Sequence, residues 1–294
     1  MAEIDGRVSE FEAYRALLFS IAYRMLGSAA DAEDLVQDAY VRFAASDADI
    51  VRDVKAFLVT ILTRLALDRL KSARAQREEY IGPWLPEPVL TGDDAANRLE
   101  RDEKIGYALM IALERLSPVE RAVLLLYDVL DHDHNEIAEV LGITAAASRQ
   151  HLHRARERVA EERKRFRPAS DEHRRLIEAF IGAIRAGDVA GLRDVLAADV
   201  VARSDGGGKA FAAKRPLFGF DAVSRLYLGL GRQAGPTVGA RIEEVNGQPA
   251  LIITDGDRIV TVMQFEVEEG RIAAVYSMVN PDKLQFIGRQ MVPA

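Results

Sequence analysis

The sequence predicts a multidomain chain in which two all-α domains, the second containing a helix-turn-helix, precede an α+β domain. Apolar residues recur at helical spacing in both helical domains, and Gly142 separates two short helices inside the second. Beyond Pro168, β-rich runs alternate with Asn-Gly and Asp-Gly turns, which are strong hairpin signals. We place the domains at residues 1–77, 105–167 and 168–294, with a linker at 78–104.

Composition narrows the class of protein. The chain has 294 residues, 49% of them hydrophobic, which is enough for two or three small cores. It has no cysteine, and this excludes disulfides, thiolate metal sites and cysteine nucleophiles. Without an export segment or a membrane-length apolar run, we expect a cytoplasmic protein with no membrane partner. We also expect no cofactor and no metal. The net charge of −7 argues against non-specific coating of nucleic acid, but it allows local basic surfaces.

The sequence of the first domain predicts a helical bundle. An apolar stripe from Phe11 to Met25 predicts a helix that Gly27 ends. A second helix follows Ser28 with acidic residues in its early turns, where they also suit the helix dipole. A third begins near Asp53 and directs a row of cations outward. This row and a second one at residues 149–167 indicate two contacts with one nucleic acid, although two ordinary solvated faces would have the same composition.

The helix-turn-helix spans His134 to Arg158. Thr144 is placed to cap its second helix, and the inward positions of that helix are apolar. The outward side chains supply donors for base edges at the helix start and cations for phosphates further on. An amphipathic hairpin with a solvated basic face remains an alternative. We expect the hydroxyl of Ser148 to bond within its own helix.

Three segments occur together in an informative order: AYRMLGSAADAEDLVQDAYVRF (22–43), AFLVTILTRLALDRLKSAR (56–74) and LSPVERAVLLLYDVLDHDHNEIAEVLGITAAASRQHLHRARERV (116–159). With them, residues 10 to 165 resemble a bacterial sigma-70-type initiation factor of the extracytoplasmic-function group. The resemblance implies two partners, promoter DNA and the RNA polymerase core with its largest and second-largest subunits. It assigns the polymerase surface to Glu33, Asp34, Gln37 and Asp38.

The same resemblance assigns residues to promoter DNA. The third helix and the loop before it would read and open the minus-ten element, and the helix-turn-helix would read the minus-thirty-five element. The candidates at the minus-ten element are Arg52, Lys55, Arg64, Arg69, Lys71 and Arg74. Those at the minus-thirty-five element are Thr144, Ala146, Arg149, Gln150, His153, Arg154 and Arg156.

The linker contains GPWLPEPVLTGDD, in which three prolines favour a stiff, extended segment around Trp84, the only tryptophan. Large aromatic side chains usually find burial, so we expect this segment to dock, either on another part of the chain or as a lid on its own domain.

The sequence of the last domain predicts three helices against a curved antiparallel sheet. This domain resembles the SnoaL-like, nuclear-transport-factor-like fold. That fold often encloses a pocket, which leaves a small ligand open as a further partner. The polar candidates near its mouth are Arg203, Asp205, Lys209, Asp221 and Tyr227. We expect no catalytic residues, because a fold alone does not imply an activity.

Three short motifs refine the resemblance: WLPEP, DGGGK and NPDKL look like those of a sigma group whose fused SnoaL-like extension regulates the sigma core from within. No separate anti-sigma factor is then expected. The regulatory candidates are Trp84, Leu85, Pro86, Glu87, Pro88, Asp205, Gly206, Gly207, Gly208, Lys209, Asn280, Pro281 and Asp282.

The function that the sequence predicts is that of a promoter-specificity subunit of RNA polymerase with a built-in regulatory domain. A ligand-responsive helix-turn-helix regulator acting without polymerase is the main alternative, and a small-molecule isomerase with a DNA-binding arm is another. The acidic face around Asp34 favours the first, since a repressor has no need for it.

Overall fold

A computed structural model describes the backbone of residues 2–47, 51–78, 80–91, 107–163 and 171–292. Within these ranges, the side chains of residues 2–5, 73–78, 108 and 160–163 are not described. The chain divides into two units: the N-terminal unit holds Met1–Glu78, Asp94–Glu103 and Leu109–Arg163, and the C-terminal unit holds Glu79–Asp93, Lys104–Ala108 and Lys164–Ala294. Among the described residues, no helix is both long and apolar enough to cross a membrane.

Seven helices precede residue 164: α1 (Ala2–Leu26), α2 (Ala29–Ala44), α3 (Val54–Glu78), α4 (Tyr107–Leu113), α5 (Pro118–Asp128), α6 (His134–Leu141) and α7 (Ala145–Arg163), as far as this part of the chain is described. Ser28 caps α2 by accepting the Asp31 amide at 3.1 Å. Gly142 ends α6 in the left-handed region, with φ of 67°, and Thr144 caps α7 by accepting the Ala147 amide at 3.1 Å. The predicted helix end at Gly142, the predicted cap at Thr144 and the helix-turn-helix are confirmed.

Two arginines join helices within the N-terminal unit. Arg121 on α5 is only 2% exposed and donates from Nη1 to the Met25 carbonyl at 2.5 Å and to Glu114 at 2.7 Å. Arg64 on α3 donates to the carbonyl oxygens of Val140 at 3.0 Å and Glu139 at 3.2 Å. Both arginines therefore meet the last turn of another helix, where unpaired carbonyls and the helix dipole favour a cation.

The C-terminal unit contains α8 (Asp171–Ala186), α9 (Val189–Val195), β1 (Leu196–Asp205), β2 (Leu217–Phe218), α10 (Phe220–Gln233), β3 (Val238–Val245), β4 (Gln248–Asp255), β5 (Arg258–Glu268), β6 (Arg271–Met278) and α11 (Gln285–Gln290). Positive φ angles at Asn246, Gly247, Glu269 and Gly270 confirm two of the predicted hairpin turns. The two-residue strand β2 and the six-residue helix α11 were not predicted, because neither is long enough to show a period.

The strand order in the sheet is β2-β1-β6-β5-β4-β3. The sheet is mixed rather than antiparallel, because β1 runs parallel to β6, with Ser204 opposite Ser277 and Asp205 opposite Met278. The prediction of an antiparallel sheet was therefore wrong at this pair. The hairpin signals show which neighbouring strands pair, but they carry no information about a pairing across about 70 residues.

Both faces of the sheet are covered. On one face, Phe180 of α8 packs edge-on against Tyr227 at 5.3 Å and Phe265 at 5.4 Å between ring centroids. Alternation along β5 directs Gln264 and Glu266 to the other face. These two polar residues are nevertheless only 3% and 5% exposed. Another segment of the chain must therefore lie on that face.

Candidate functional site

An acidic face runs along α2. Glu33, Asp34, Gln37 and Asp38 are all exposed, whereas the intervening Leu35, Val36 and Ala39 are buried. Beside this face, Arg69 of α3 pairs with Asp31 at 2.5 Å. This hydrogen bond, aided by the charges of Asp34 and Asp38, holds the pKa of Arg69 above its ordinary value. The negative side chains of α2 thus form one solvent-facing patch.

The cations of α3 and the loop before it differ in whether other residues engage them. Arg52 and Lys55 are exposed, and no hydrogen bond or ion pair engages them in the described part of the chain. Arg64 bonds to α6, Arg69 to Asp31 and Lys71 to Asp68. The side chain of Arg74 lies outside the described residues.

The outward face of α7 contains most of the residues assigned to the helix-turn-helix. Thr144, Ala146, Arg149, Gln150, His153 and Arg154 are exposed, while Leu152, Ala155 and Val159 are buried. Arg156 differs from them. It pairs with Asp128 of α5 at 2.5 Å, which raises its pKa, and its guanidinium lies over the Tyr127 ring at 5.2 Å. Arg156 therefore anchors α7 to α5.

Ser148 connects the two helices of the motif. It is fully buried, and its hydroxyl bonds to Nδ1 of His134 on α6 at 2.9 Å. The His134 ring stacks on Tyr127 with centroids 4.8 Å apart. The prediction of a bond within the helix was therefore wrong, because the packing of α6 on α7 brings the His134 ring within hydrogen-bonding distance of the buried hydroxyl.

The linker covers the outer face of the sheet through a network around Asp205. This carboxylate is fully buried and accepts the Tyr80 hydroxyl at 2.5 Å, the Leu85 amide at 2.8 Å and the Lys283 ammonium at 2.8 Å. Lys283 also donates to the Leu85 carbonyl at 2.6 Å, and Asn280 donates to the Tyr80 hydroxyl at 2.9 Å. Linker, strand and C-terminal tail therefore meet at one carboxylate.

The electrostatics of this network depend on its burial. Lys283 and Asp205 have side chains that are 9% and 0% exposed, so their pairing must offset a large loss of hydration. The Lys283 ammonium also lies 3.9 Å from the Trp84 ring centroid and 4.9 Å from that of Tyr80. Burial, followed by the bond to Asp205, raises the pKa of the Tyr80 hydroxyl, which therefore remains a donor.

The end of the linker pairs with the edge strand β3. Leu90 forms a β-bridge with Val245, the Asn246 amide donates to the Val89 carbonyl at 2.8 Å, and the Thr91 amide donates to the Glu244 carbonyl at 3.0 Å. Backbone bonds of this kind allow an extended segment to add to an exposed sheet edge.

The DGGGK loop packs tightly against the same segments. Gly207 and Gly208 have φ angles of 56° and 72°. A Cβ at Gly207 would clash with Asn280 and Tyr80, and one at Gly208 would lie 2.9 Å from Ile81. Only glycine combines that backbone conformation with such close approach. Lys209 then pairs with Asp282 at the exposed rim.

Comparison with known proteins identifies the family. The Sigma-70 region 2 family matches residues 11–76, and the Sigma-70, region 4 family matches residues 108–159. The ECF RNA polymerase sigma factor SigJ of Mycobacterium tuberculosis is 39% identical, over 94% of this chain and 92% of that protein. The chain belongs to the ECF sigma factors.

Further relatives extend the similarity along this sigma factor. A probable ECF RNA polymerase sigma factor, SigI of the same organism, is 31% identical over 97% of both chains. The crystal structure of Mycobacterium tuberculosis SigJ superposes with a TM-score of 0.77 at 36% identity, covering 95% of this chain and 98% of the other. This sigma factor is a promoter-specificity subunit that binds RNA polymerase core and promoter DNA.

Two of the polar residues assigned to a pocket mouth are engaged by other groups in this sigma factor. Asp205 is engaged by the linker, and Tyr227 is buried with its hydroxyl 3.1 Å from that of Ser277. A groove of about 830 Å³ lies elsewhere, between strands β3 to β5 and the C-terminal tail. Its lining includes Arg241, Thr254, Arg258, Leu284 and Met291. The described residues contain no cluster of three His, Asp or Glu able to hold a metal.

Sequence reasoning missed Tyr80 and Lys283 as members of the linker site. Lys283 lies inside the NPDKL motif, and Tyr80 shortly precedes WLPEP. Their positions beside the motifs were the only available signal, since a lysine that becomes buried looks the same in sequence as a solvated one.

We predict that Asp205→Asn loosens the linker dock of the sigma factor. The change leaves the buried Lys283 ammonium without a counter-charge, so the C-terminal unit should lose about 3 kcal/mol or more of unfolding free energy. Trp84, the sole tryptophan, should emit further to the red and change at lower urea concentration.

Asp282→Asn is the matched control, because it breaks the Lys209 pair, whose side chains are 57% and 53% exposed. It should cost about 1 kcal/mol or less. Equal effects of the two substitutions would contradict the assigned role of Asp205.

Proposed function

We propose that the acidic patch of α2, formed by Glu33, Asp34, Gln37 and Asp38, binds the largest subunit of RNA polymerase. This proposal is supported by the two faces of α2: the apolar face is buried, and all four polar side chains lie on the face exposed to solvent. An acidic patch of this kind favours a basic partner surface and steers association with it.

We predict that the double substitution Asp34→Lys and Asp38→Lys abolishes the pull-down of core polymerase. Both side chains are exposed, so the helical circular dichroism should stay unchanged. Glu10→Lys reverses an exposed charge on α1 and should leave the pull-down intact. Full retention of core polymerase by the α2 variant would rule out this interface.

We propose that the exposed face of α7 reads the minus-thirty-five element. Thr144, Ala146, Arg149 and Gln150 occupy its first turns, where recognition helices meet base edges. His153, Arg154 and Arg156 follow, and Arg156 would reach a phosphate from its pair with Asp128. At the minus-ten element the proposed contacts are Arg52, Lys55, Arg64, Arg69, Lys71 and Arg74, and for Arg64 DNA competes with the carbonyls of α6.

We predict that alanine substitutions at two exposed arginines of α7 have different effects on DNA binding. Arg149→Ala should relax sequence preference and weaken binding to the matched promoter by about 1 to 3 kcal/mol, because bidentate contacts to a base discriminate between bases. Arg154→Ala should weaken matched and scrambled promoters alike and flatten the salt dependence of binding. Fluorescence anisotropy of holoenzyme at several salt concentrations separates the two. Identical losses on both sequences for Arg149→Ala would reject the proposed orientation.

We propose that the C-terminal unit regulates the sigma core through the linker. The regulatory surface consists of Trp84, Leu85, Pro86, Glu87 and Pro88 of the linker, Asp205, Gly206, Gly207, Gly208 and Lys209 of the loop, and Asn280, Pro281 and Asp282 of the tail. The observation that supports this proposal is the buried carboxylate of Asp205, which accepts two hydrogen bonds from the linker and one from the tail. A tethered domain acts at high effective concentration, so no separate anti-sigma factor is required. The proposed location is the cytoplasm.

We propose that the C-terminal unit acts through contacts rather than catalysis. Both oxygens of Asp205, one of the polar candidates for the pocket mouth, already accept hydrogen bonds, and the Tyr227 hydroxyl lies 3.1 Å from that of Ser277. A small ligand would have to use a different surface, such as the groove beside α11.

We predict that Asp205→Asn raises run-off transcription from a cognate promoter, because it frees the linker that holds the sigma core back. Asp199→Asn, which changes an exposed carboxylate outside the proposed regulatory surface, should transcribe like the wild type. Deletion of residues 169–294 should give a third level of activity, since it also removes surfaces that support the active arrangement. Wild-type transcription by both Asp205→Asn and the deletion would show that the C-terminal unit has a separate task.

A further inference from the structure

The segment that joins β1 to α10 presents two phenylalanines to solvent. Phe211 is 88% exposed and Phe218 is 68% exposed, and they are the only aromatic residues among the large hydrophobic side chains found exposed in the described ranges. Burying such a side chain stabilises a protein by about 1.5 to 3 kcal/mol, so two that stay exposed on one short segment indicate a partner surface.

The charge of this segment indicates the chemistry of its partner. Residues 206–219 contain Lys209, Lys214 and Arg215 and no acidic residue, although the whole chain has a net charge of −7. Lys209 pairs with Asp282. Lys214 and Arg215 are exposed, and no side chain within the described ranges pairs with either. The surface is therefore complementary to a polyanion.

The segment is held in place from both ends. The amides of Lys209 and Ala210 donate to the Gly206 carbonyl at 2.9 and 3.2 Å, and those of Val279 and Asn280 donate to the Asp205 carbonyl at 2.9 Å each. Phe218 lies in β2, opposite Val201 of the sheet. A ligand that stacks on these rings would not have to order the whole loop first, which favours binding.

We propose that residues 209–218, the basic-aromatic loop, bind single-stranded DNA. Phe211 and Phe218 stack on bases, and Lys214 and Arg215 bond to phosphates. Aromatic platforms beside cations are the composition used for single strands, whose bases offer open faces. A duplex stacks its bases on one another and hides those faces. A promoter-specificity subunit works where DNA strands separate, and this surface is distinct from the region 2 and region 4 matches at 11–76 and 108–159.

Fluorescence anisotropy with the full-length protein tests the proposal, with labelled oligothymidylate and a random duplex of equal length as probes. The double variant Phe211→Ala and Phe218→Ala should bind oligothymidylate about tenfold or more weakly and the duplex as the wild type does. The double variant Lys214→Ala and Arg215→Ala should reduce the slope of log K against log salt by about 1.4, as expected for two lost phosphate contacts on a single strand.

Two controls match these variants within the same unit. Val292→Ala truncates an apolar side chain that is 71% exposed, and the pair Arg225→Ala and Arg232→Ala removes two exposed cations of α10. Both should bind like the wild type. Phe211→Ala alone, outside any strand, should still weaken oligothymidylate binding if the double variant unfolds β2. Unchanged oligothymidylate binding by Phe211→Ala, or a loss of core polymerase pull-down instead, would overturn the proposal.

Discussion

The ion pair between Lys283 and Asp205 is the interaction on which the C-terminal unit depends. It lies in the interior, where an unpaired charge is strongly unfavourable. Moving either residue away would leave the charge of the other buried without a partner. Asp205 ends β1, Lys283 precedes α11, and both bond to Leu85 of the linker. One desolvated pair thus holds three segments that are distant in the chain.

The linker dock also explains why the sheet has two buried faces. Gln264 and Glu266 alternate outward from the helix-packed core, yet both are buried and hydrogen-bonded, Gln264 to Asn246 and Glu266 to Tyr276. Tyr107 closes the same side by donating to the Pro86 carbonyl at 2.8 Å and packing edge-on against Tyr276. These bonds within the C-terminal unit offset the hydration that both side chains lose beneath the linker, and Asp205 at the end of β1 is bonded to the linker itself. Docking of the linker and stability of the domain are therefore coupled.

The N-terminal unit uses arginines in a comparable way. Arg121 and Arg64 reach the terminal carbonyls of α1 and α6, and Arg156 and Arg158 attach α7 to α5 through Asp128 and Glu120. The side chains left outward by these contacts are the acidic patch of α2 and the start of α7. These contacts thus leave the proposed polymerase surface and the proposed base-reading surface open to solvent. Packing, and not composition, decides which arginines join helices and which polar side chains remain exposed.

The sequence alone determined what depends on neighbouring residues. Periodicity located the helices, Ser28, Gly142 and Thr144 marked their ends, and Asn246-Gly247 marked a hairpin, because caps and turns act over a few residues. The ordered motifs also determined the family. Only the tertiary structure decided the parallel pairing of β1 with β6, the bond between Ser148 and His134, and the burial of Lys283 against Asp205. Those contacts join residues between 14 and 78 positions apart, and which partner a buried polar group meets depends on where the folded chain returns.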